Sequence, residues 1–409
     1  MSAKSTLAGI RSIEDFDLKD QRVFLRLDLN VPIKNGTITD TTRIDAALPT
    51  IRYALEHGAK LVVASHLGRP ELNSEGTPTD ESLDKYSLEP VAKKLQELLN
   101  IEVILVEEPE SEAPSALLRS LKKNQMILLE NLRFNKDETK NGEELADAIC
   151  TYTDIYINDA FGASHRAHAT IVGMPTKVKQ KGIGFLMKKE IEMLDKIMVA
   201  PESPFITILG GAKVSDKIGV IENLIDKVDV FLIGGAMAYT FLAAQKVAVG
   251  SSLVEKDKVK YAGDLFERVK ARDKKIVLPV DHKIVTKIDS AFDLKTTATP
   301  AIPSGWLGVD IGPKTVELFR RELQNAKTVF WNGPMGVFET RAFADGTFAV
   351  AKALTEIPHA TTVVGGGDSA AAIKASGYAD QVTHISTGGG ASLEFLQGDK
   401  LPGIEALRK

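Results

Sequence analysis

The chain has 409 residues, 44% hydrophobic and 26% charged, with a net charge of -4 and one cysteine. At about 100–200 residues per domain this length implies two domains, and the balance of apolar and charged residues excludes a disordered chain. The small net charge argues against nucleic-acid binding by bulk charge, the single Cys150 excludes a disulfide framework within the chain, and no run of about 18 apolar residues marks a spanning helix. Cys150 closes an apolar-patterned stretch and reads as a buried small hydrophobe. The N-terminus has no apolar core, so no signal peptide is expected, and a reducing, cytoplasmic compartment is.

Short β-branched runs without polar alternation recur along the chain. In the first half they lie at residues 23–28, 61–66, 103–106, 126–130 and 155–159. In the second half they lie at 205–210, 230–234, 276–281, 329–332, 361–365 and 384–387. Such runs suit parallel strands covered on both faces. Between them come helical spacings: Leu48, Ile51 and Leu55, with Pro49 in a first turn; Ala92, Leu95, Leu98 and Leu99; Ile218, Ile221 and Ile225. Residues 185–199 place Phe185, Ile191, Leu194 and Met198 at mostly helical spacing, after a glycine pair at 182 and 184. The expected fold is α/β: two doubly wound parallel-sheet, Rossmann-like lobes joined by that helix, with a cleft between them. The domains are expected at 1–184 and 185–397.

In open parallel sheets ligands bind beyond the carboxyl ends of the strands. In the first half those positions are mostly basic: Arg26, Asp28 and Asn30 after the first strand, His66 and Arg69 after the second, Arg133 after the fourth, His165 and Arg166 after the fifth, with Arg43 in the loop before the Pro49 helix. One arginine at such a place as readily pairs with a surface carboxylate. Five converging on one rim suit a phosphate and a carboxylate, which guanidinium forks bind in bidentate fashion. In the second half the same positions are glycine-rich: Gly210-Gly211-Ala212-Lys213, Gly365-Gly366-Gly367-Asp368-Ser369, and Gly388-Gly389-Gly390. Glycine lets a backbone approach an anion, and a following helix start aims free N–H groups at it. Lys213 and Lys217, four apart, would share a helix face and reach adjacent phosphates, or else be solvated lysines. Asp368 could reach a phosphate-bound magnesium or cap its helix.

The P-loop, the protein-kinase catalytic loop, the GxGxxG fingerprint and HExxH are all missing. A nicotinamide dehydrogenase, the rival on fold pattern, therefore lacks its glycine motif. A non-catalytic anion-binding protein would leave Lys213, Lys217 and Asp368 without a joint purpose.

The stretches RLDLNVP (26–32), SHLGRP (65–70), ENLRF (130–134), NDAFGASHRAH (158–168), GGAKVSDKI (210–218), WLGVDIGP (306–313), FWNGPMGVFE (330–339), VVGGGDS (363–369) and STGGGASLE (386–394) together resemble the phosphoglycerate kinase family over nearly the whole chain. The resemblance implies reversible phosphoryl transfer from 1,3-bisphosphoglycerate to ADP, giving 3-phosphoglycerate and ATP, by a cytoplasmic monomer without nucleic-acid or membrane partners. It implies that Asp28 and Asn30 hold the hydroxyl and carboxylate region of the phosphoglycerate, and Arg43, His66, Arg69, Arg133 and Arg166 its charges. Gly211, Lys213, Lys217, Gly308, Asn332, Glu339 and Gly365, Gly366, Gly367, Asp368 and Ser369 would contact the nucleotide, with Asp368 towards Mg2+. Lys213 and Arg43 would face the phosphoryl in flight. The C-terminal segment 398–409 would pack back on the first lobe. Two places depart from the family pattern: Ser164 stands where alanine is usual, and residues 282–287 lack the usual apolar run after Pro-Val-Asp.

With the two sites on separate lobes, transfer requires them to approach and exclude water. Solution scattering should therefore show a more compact particle with both ligands than with neither; curves unchanged by ligands would contradict this.

Overall fold

The computed structural model describes residues 5–289 and 291–408. Contacts divide the described residues into two compact units, one built from 5–192 with 400–408, the other from residues 193–399. The dividing point falls inside the helix Phe185–Met198.

The first unit holds a six-stranded parallel sheet: β1 Arg22–Leu27, β2 Lys60–Ala64, β3 Glu102–Val106, β4 Gln125–Leu129, β5 Ile155–Asp159 and β6 Gln180–Ile183, in the order β3-β4-β2-β1-β5-β6. The central strands are buried along nearly their whole length, as β-branched runs covered on both faces should be. Each fully buried Leu, Ile or Val side chain contributes on the order of 1.5–3 kcal/mol. β6 has no such run. Its polar Gln180 and Lys181 sit at the sheet edge, paired with Ile155 and Tyr156, and only Gly182 and Ile183 are buried. The sequence reading missed it for that reason. The helix Thr42–Glu56 begins seven residues before Pro49, so Pro49 lies inside it and Arg43 in its first turn rather than in a preceding loop. The last residues close on this unit: Leu401, Ile404 and Leu407 are buried, and the Gly403 N–H donates to the Ser164 carbonyl at 2.9 Å.

The second unit holds β7 Phe205–Leu209, β8 Val230–Ile233, β9 Lys275–Val277, β10 Thr328–Asn332, β11 Thr361–Gly365 and β12 His384–Ile385. Their order, β9-β8-β7-β10-β11-β12, is that of dinucleotide-binding sheets. β9 stops at Val277, short of the expected 281, because Pro279 has no N–H to continue the ladder. The chain then forms an antiparallel sheet of His282–Val285, Lys295–Thr296 and Leu307–Ile311. That sheet accounts for the departure at residues 282–287: a half-polar strand covers one side of the unit.

Asp159, at the end of β5, is wholly buried against the start of the helix Phe185–Met198. It accepts the Thr50 hydroxyl at 2.5 Å and the Met187 N–H at 2.8 Å, while the Phe185 N–H donates to Thr50 Oγ1 at 3.0 Å. Two side chains thus satisfy N–H groups that a helix start leaves open. Burial pushes the Asp159 pKa up from 3.8 to about 7, against the opposing pull of the hydrogen bonds from Thr50, Met187 and Leu186. Between about pH 4 and pH 7 the folded chain keeps a proton the unfolded chain has released, so this group makes stability fall as pH rises. Asp159→Asn, which cannot ionise, should therefore gain stability relative to wild type across that interval, read from urea unfolding. A difference that is flat with pH would contradict the raised carboxyl.

Candidate active site

The first rim forms at the carboxyl ends of β1, β2, β4 and β5. β1 and β5 are neighbours although the chain visits three other strands between them, so a crevice opens there. Arg43 Nη1 donates to Asp28 Oδ1 at 2.8 Å and to the Asn30 carbonyl at 3.2 Å. Asn30 Oδ1 accepts the Gly68 N–H at 2.9 Å, which ties the β1 loop to the β2 loop. Arg133 donates to the Gly68 carbonyl, and its Nε is buried without a partner. Arg166 Nε donates to His165 Nε2 at 3.2 Å. Arg69 is exposed.

The groups sense one another electrically. Burial, then Arg26, Arg133, Arg166 and Arg43, push the His66 pKa well below its usual 6.5. Burial, then Arg166 and Arg26 with Arg69 further down, lower Arg133 to about 10, so it stays charged at neutral pH. His66 is therefore neutral and offers a hydrogen bond rather than a charge. Beneath them Arg26 is fully buried on Thr170 Oγ1 at 2.8 Å and Glu138 at 3.4 Å. Glu138 also accepts from the Thr170 N–H and hydroxyl, and despite burial its pKa is lowered by His168, Arg26 and Thr170. Two carboxylates, Glu138 and Asp28, pair into this set of five arginines. Among the described residues no carboxylate lies within ion-pair distance of Arg69, Arg133 or Arg166. The sequence reading met Arg26 at the strand end, but nothing in the sequence showed that its partner would be Glu138.

The second rim forms where β7 and β10 lie side by side. Gly210 and Gly333 interlock: the Gly210 N–H donates to the Asn332 carbonyl, and a Cβ on either glycine would overlap the other's backbone. Gly211 has φ +94 and open space where a Cβ would stand. Lys213 precedes the first helical turn, Ser215–Lys217, and is exposed, so the two lysines do not share a helix face as expected. The glycine turn keeps the backbone out of helical geometry until Val214. Lys217 is bonded to Asn332 Oδ1, and burial lowers its pKa while Asp216 and Asp368 raise it. Asn332 Nδ2 donates to the Gly365 carbonyl at 2.6 Å, and Ser369 Oγ accepts the Gly333 N–H at 2.6 Å. Gly366, at φ +92, is the cap of the helix Gly367–Ser376; Asp368 is exposed in its first turn and makes no capping bond. Lys217, Asn332, Gly365, Gly366 and Ser369 thus come together in one bonded group.

A cavity of about 260 Å³ opens beside this group. Its lining includes four expected residues, Gly211, Gly308, Glu339 and Asp368, together with Tyr239, Pro334, Met335, Gly336 and Val337. A Cβ on Gly308 would overlap the Tyr239 hydroxyl, so any larger residue here must displace Tyr239 from its place in the slot wall. The signal for Pro334 to Val337 was present in FWNGPMGVFE, whereas Tyr239 sits in an unbroken apolar run that gives no hint of a cavity wall. A larger cavity of about 630 Å³ in the first unit is lined by Asp84, Glu89, Glu107, Glu108, Glu110 and Glu130, a set that repels phosphate. Among the described residues no group of three or more His, Cys, Asp or Glu could hold a metal by itself. A magnesium ion held chiefly by phosphates needs only one or two carboxylates, and Asp368 fits that requirement.

An arginine-rich anion rim on one α/β unit and a glycine-built phosphate cradle with an apolar slot on another define a small-molecule kinase that needs no P-loop. A family model described as phosphoglycerate kinase matches residues 13–399. A phosphoglycerate kinase of Bdellovibrio bacteriovorus is 60% identical over 98% of both chains, and one of Thermosipho africanus 52% identical over 97% of both. The solved structure of phosphoglycerate kinase from Coxiella burnetii superposes with a TM-score of 0.87 at 39% identity, covering 97% of this chain and 98% of that one. That from Pyrococcus horikoshii gives 0.82 at 35% with the same coverage. The chain belongs to the phosphoglycerate kinase family, and its reaction is phosphoryl transfer between an adenine nucleotide and the carboxylate of 3-phosphoglycerate.

Glu138→Gln would leave the Arg26 guanidinium buried without a counter-charge. Such a break typically costs about 3 kcal/mol or more, and urea unfolding should show a loss of that size. A loss under about 1 kcal/mol would mean that Thr170 and the Leu27 carbonyl suffice to hold Arg26.

Proposed function

We propose that the arginine rim of the first unit binds the phosphoglycerate, that the glycine cradle of the second binds the nucleotide, and that the phosphoryl group passes directly between them with no covalent enzyme intermediate. The observation that carries this reading is the uncompensated charge of Arg69, Arg133 and Arg166 beside the Arg43–Asp28 pair. A ligand bearing both a phosphate and a carboxylate neutralises that excess with bidentate bonds. Asp28, held by Arg43, and Asn30, held by Gly68, are oriented to meet the ligand's hydroxyl and carboxylate region. Neutral His66 gives one hydrogen bond there.

On the nucleotide side the apolar slot takes the base and ribose, with Gly308 and Glu339 on its walls. Helix starts at Ile218 and Gly367, and the turn at Gly211, present backbone to the phosphates. Lys217, fixed by Asn332, and Lys213, exposed and without an ion pair among the described residues, supply cations. Magnesium carried on the nucleotide neutralises phosphate oxygens, and Asp368 would hold it. The acceptor carboxylate is already ionised at neutral pH, so no general base is required. Positioning and charge stabilisation by Lys213 and Arg43 do the work of catalysis. The enzyme acts as a cytoplasmic monomer on small molecules, as the family resemblance implies.

Lys213→Ala should lose on the order of 100-fold or more in turnover while nucleotide affinity stays within several-fold. The assay is ATP-dependent turnover of 3-phosphoglycerate, coupled to reduction of the acyl phosphate. Unchanged turnover would remove Lys213 from its role.

A further inference from the structure

Asp310 lies on the strand Leu307–Ile311, directly after Gly308 and Val309, which wall the apolar slot. Its own side chain does not reach the slot, being only 1% exposed. Both carboxylate oxygens accept backbone N–H groups instead: Oδ1 from Ile311 at 2.9 Å and Oδ2 from Gly346 at 2.7 Å. Gly346 is in the first turn of the helix Asp345–Thr355, and a Cβ there would overlap Oδ1. A Cβ on Gly336, in the turn that also lines the slot, would stand 2.7 Å from the same oxygen. The two walls are joined directly by the Val337 N–H donating to the Val309 carbonyl at 2.8 Å. Met335 is tied to the same helix through Thr347 Oγ1 at 3.0 Å. Lys283 completes the surroundings, with Nζ 4.0 Å from Asp310 and 2.6 Å from Asp345. One buried carboxylate is therefore wedged between the strand that carries Gly308, the turn that carries Gly336, and the helix behind both.

We propose that Asp310 is a positioning residue for nucleotide binding, setting the separation of the two slot walls without touching the ligand. This rests on the reading that the slot receives the nucleoside. An asparagine has the same shape but only one acceptor oxygen, so it turns an N–H group against one of the two backbone donors. A contact that fixes the strand carrying Gly308, against its own turn or against the helix Asp345–Thr355, is then lost, and binding of a ligand held by the slot walls weakens. Asp281 supplies a contrast within the same unit. It is equally buried and accepts from Lys314 N at 3.0 Å, Thr315 N at 2.8 Å and the Thr315 hydroxyl at 2.6 Å. It caps the helix Pro313–Leu323 and does not line the slot. A purely structural carboxylate should behave like Asp281.

The test is calorimetric titration of magnesium-ATP into wild type, Asp310→Asn, Gly346→Ala, Asp281→Asn and Gly308→Ala, with KM and kcat measured for both substrates. Asp310→Asn should weaken ATP binding and raise its KM about tenfold, the scale of one buried hydrogen bond lost with its donor left unsatisfied. kcat at saturation and the KM for 3-phosphoglycerate should stay within about twofold of wild type. Gly346→Ala, which displaces the carboxylate without removing it, should shift ATP affinity the same way and serves if Asp310→Asn does not fold. Asp281→Asn should lower the melting temperature yet bind ATP as wild type does. If Asp310→Asn and Gly346→Ala bind ATP as tightly as Asp281→Asn while Gly308→Ala, which displaces Tyr239 from the slot wall, binds weakly, the positioning role is wrong and the slot reading stands. If Gly308→Ala binds ATP like wild type, the slot reading fails and the inference falls with it.

Discussion

Strand polarity is the constraint from which the rest follows. Within each six-stranded sheet the strands all run the same way, so every carboxyl end opens on one edge. Each of those edges gathers what the sequence scatters: residues from 28 to 166 in the first unit, and from 211 to 369 in the second. Where two adjacent strands are served by chain segments leaving in opposite directions, the edge has a crevice, between β1 and β5 in one unit and between β7 and β10 in the other. The chemistry of each crevice is then decided by which side chains follow the strands.

In the first unit those side chains are cations in excess of their counter-charges. Arg26, Arg43, Arg69, Arg133 and Arg166 repel one another, and burial together with neighbouring arginines lowers the pKa of Arg133 and of His66. Only Arg26 is neutralised deep in the structure, by Glu138. Arg43 is paired with Asp28, and a ligand that neutralised the charge of Arg69, Arg133 and Arg166 would in turn stabilise the fold by mass action. The second unit offers other means, with glycine turns, helix starts and two lysines whose surroundings differ: Lys217 bonded to Asn332, Lys213 exposed.

Much of this was legible in the sequence because parallel strands announce themselves as unbroken apolar runs, and the residues after each run face the ligand edge. All eleven expected strands fall on observed ones to within a few residues. What stayed hidden has a common cause. β6 begins on polar Gln180 and Lys181 and buries only Gly182 and Ile183, so no apolar run marks it. The small sheet around His282–Val285 is half-polar and antiparallel, with no run long enough to read. The helix-face argument for Lys213 and Lys217 failed because spacing of four matters only once a helix has begun. Tyr239, Asp310 and Glu138 act through contacts with residues distant in the chain, and no local pattern encodes such partners.

The proposed division of labour is anion recognition by the arginines of the first unit and nucleotide recognition by the glycine turns of the second. The most direct measurement is paired calorimetry on Arg69→Ala and Arg166→Ala, titrating 3-phosphoglycerate and ATP separately into each. Loss of 3-phosphoglycerate affinity by more than about tenfold, with ATP affinity held within twofold, is the predicted result. Arginine variants that bind 3-phosphoglycerate normally, or that lose ATP instead, would contradict it.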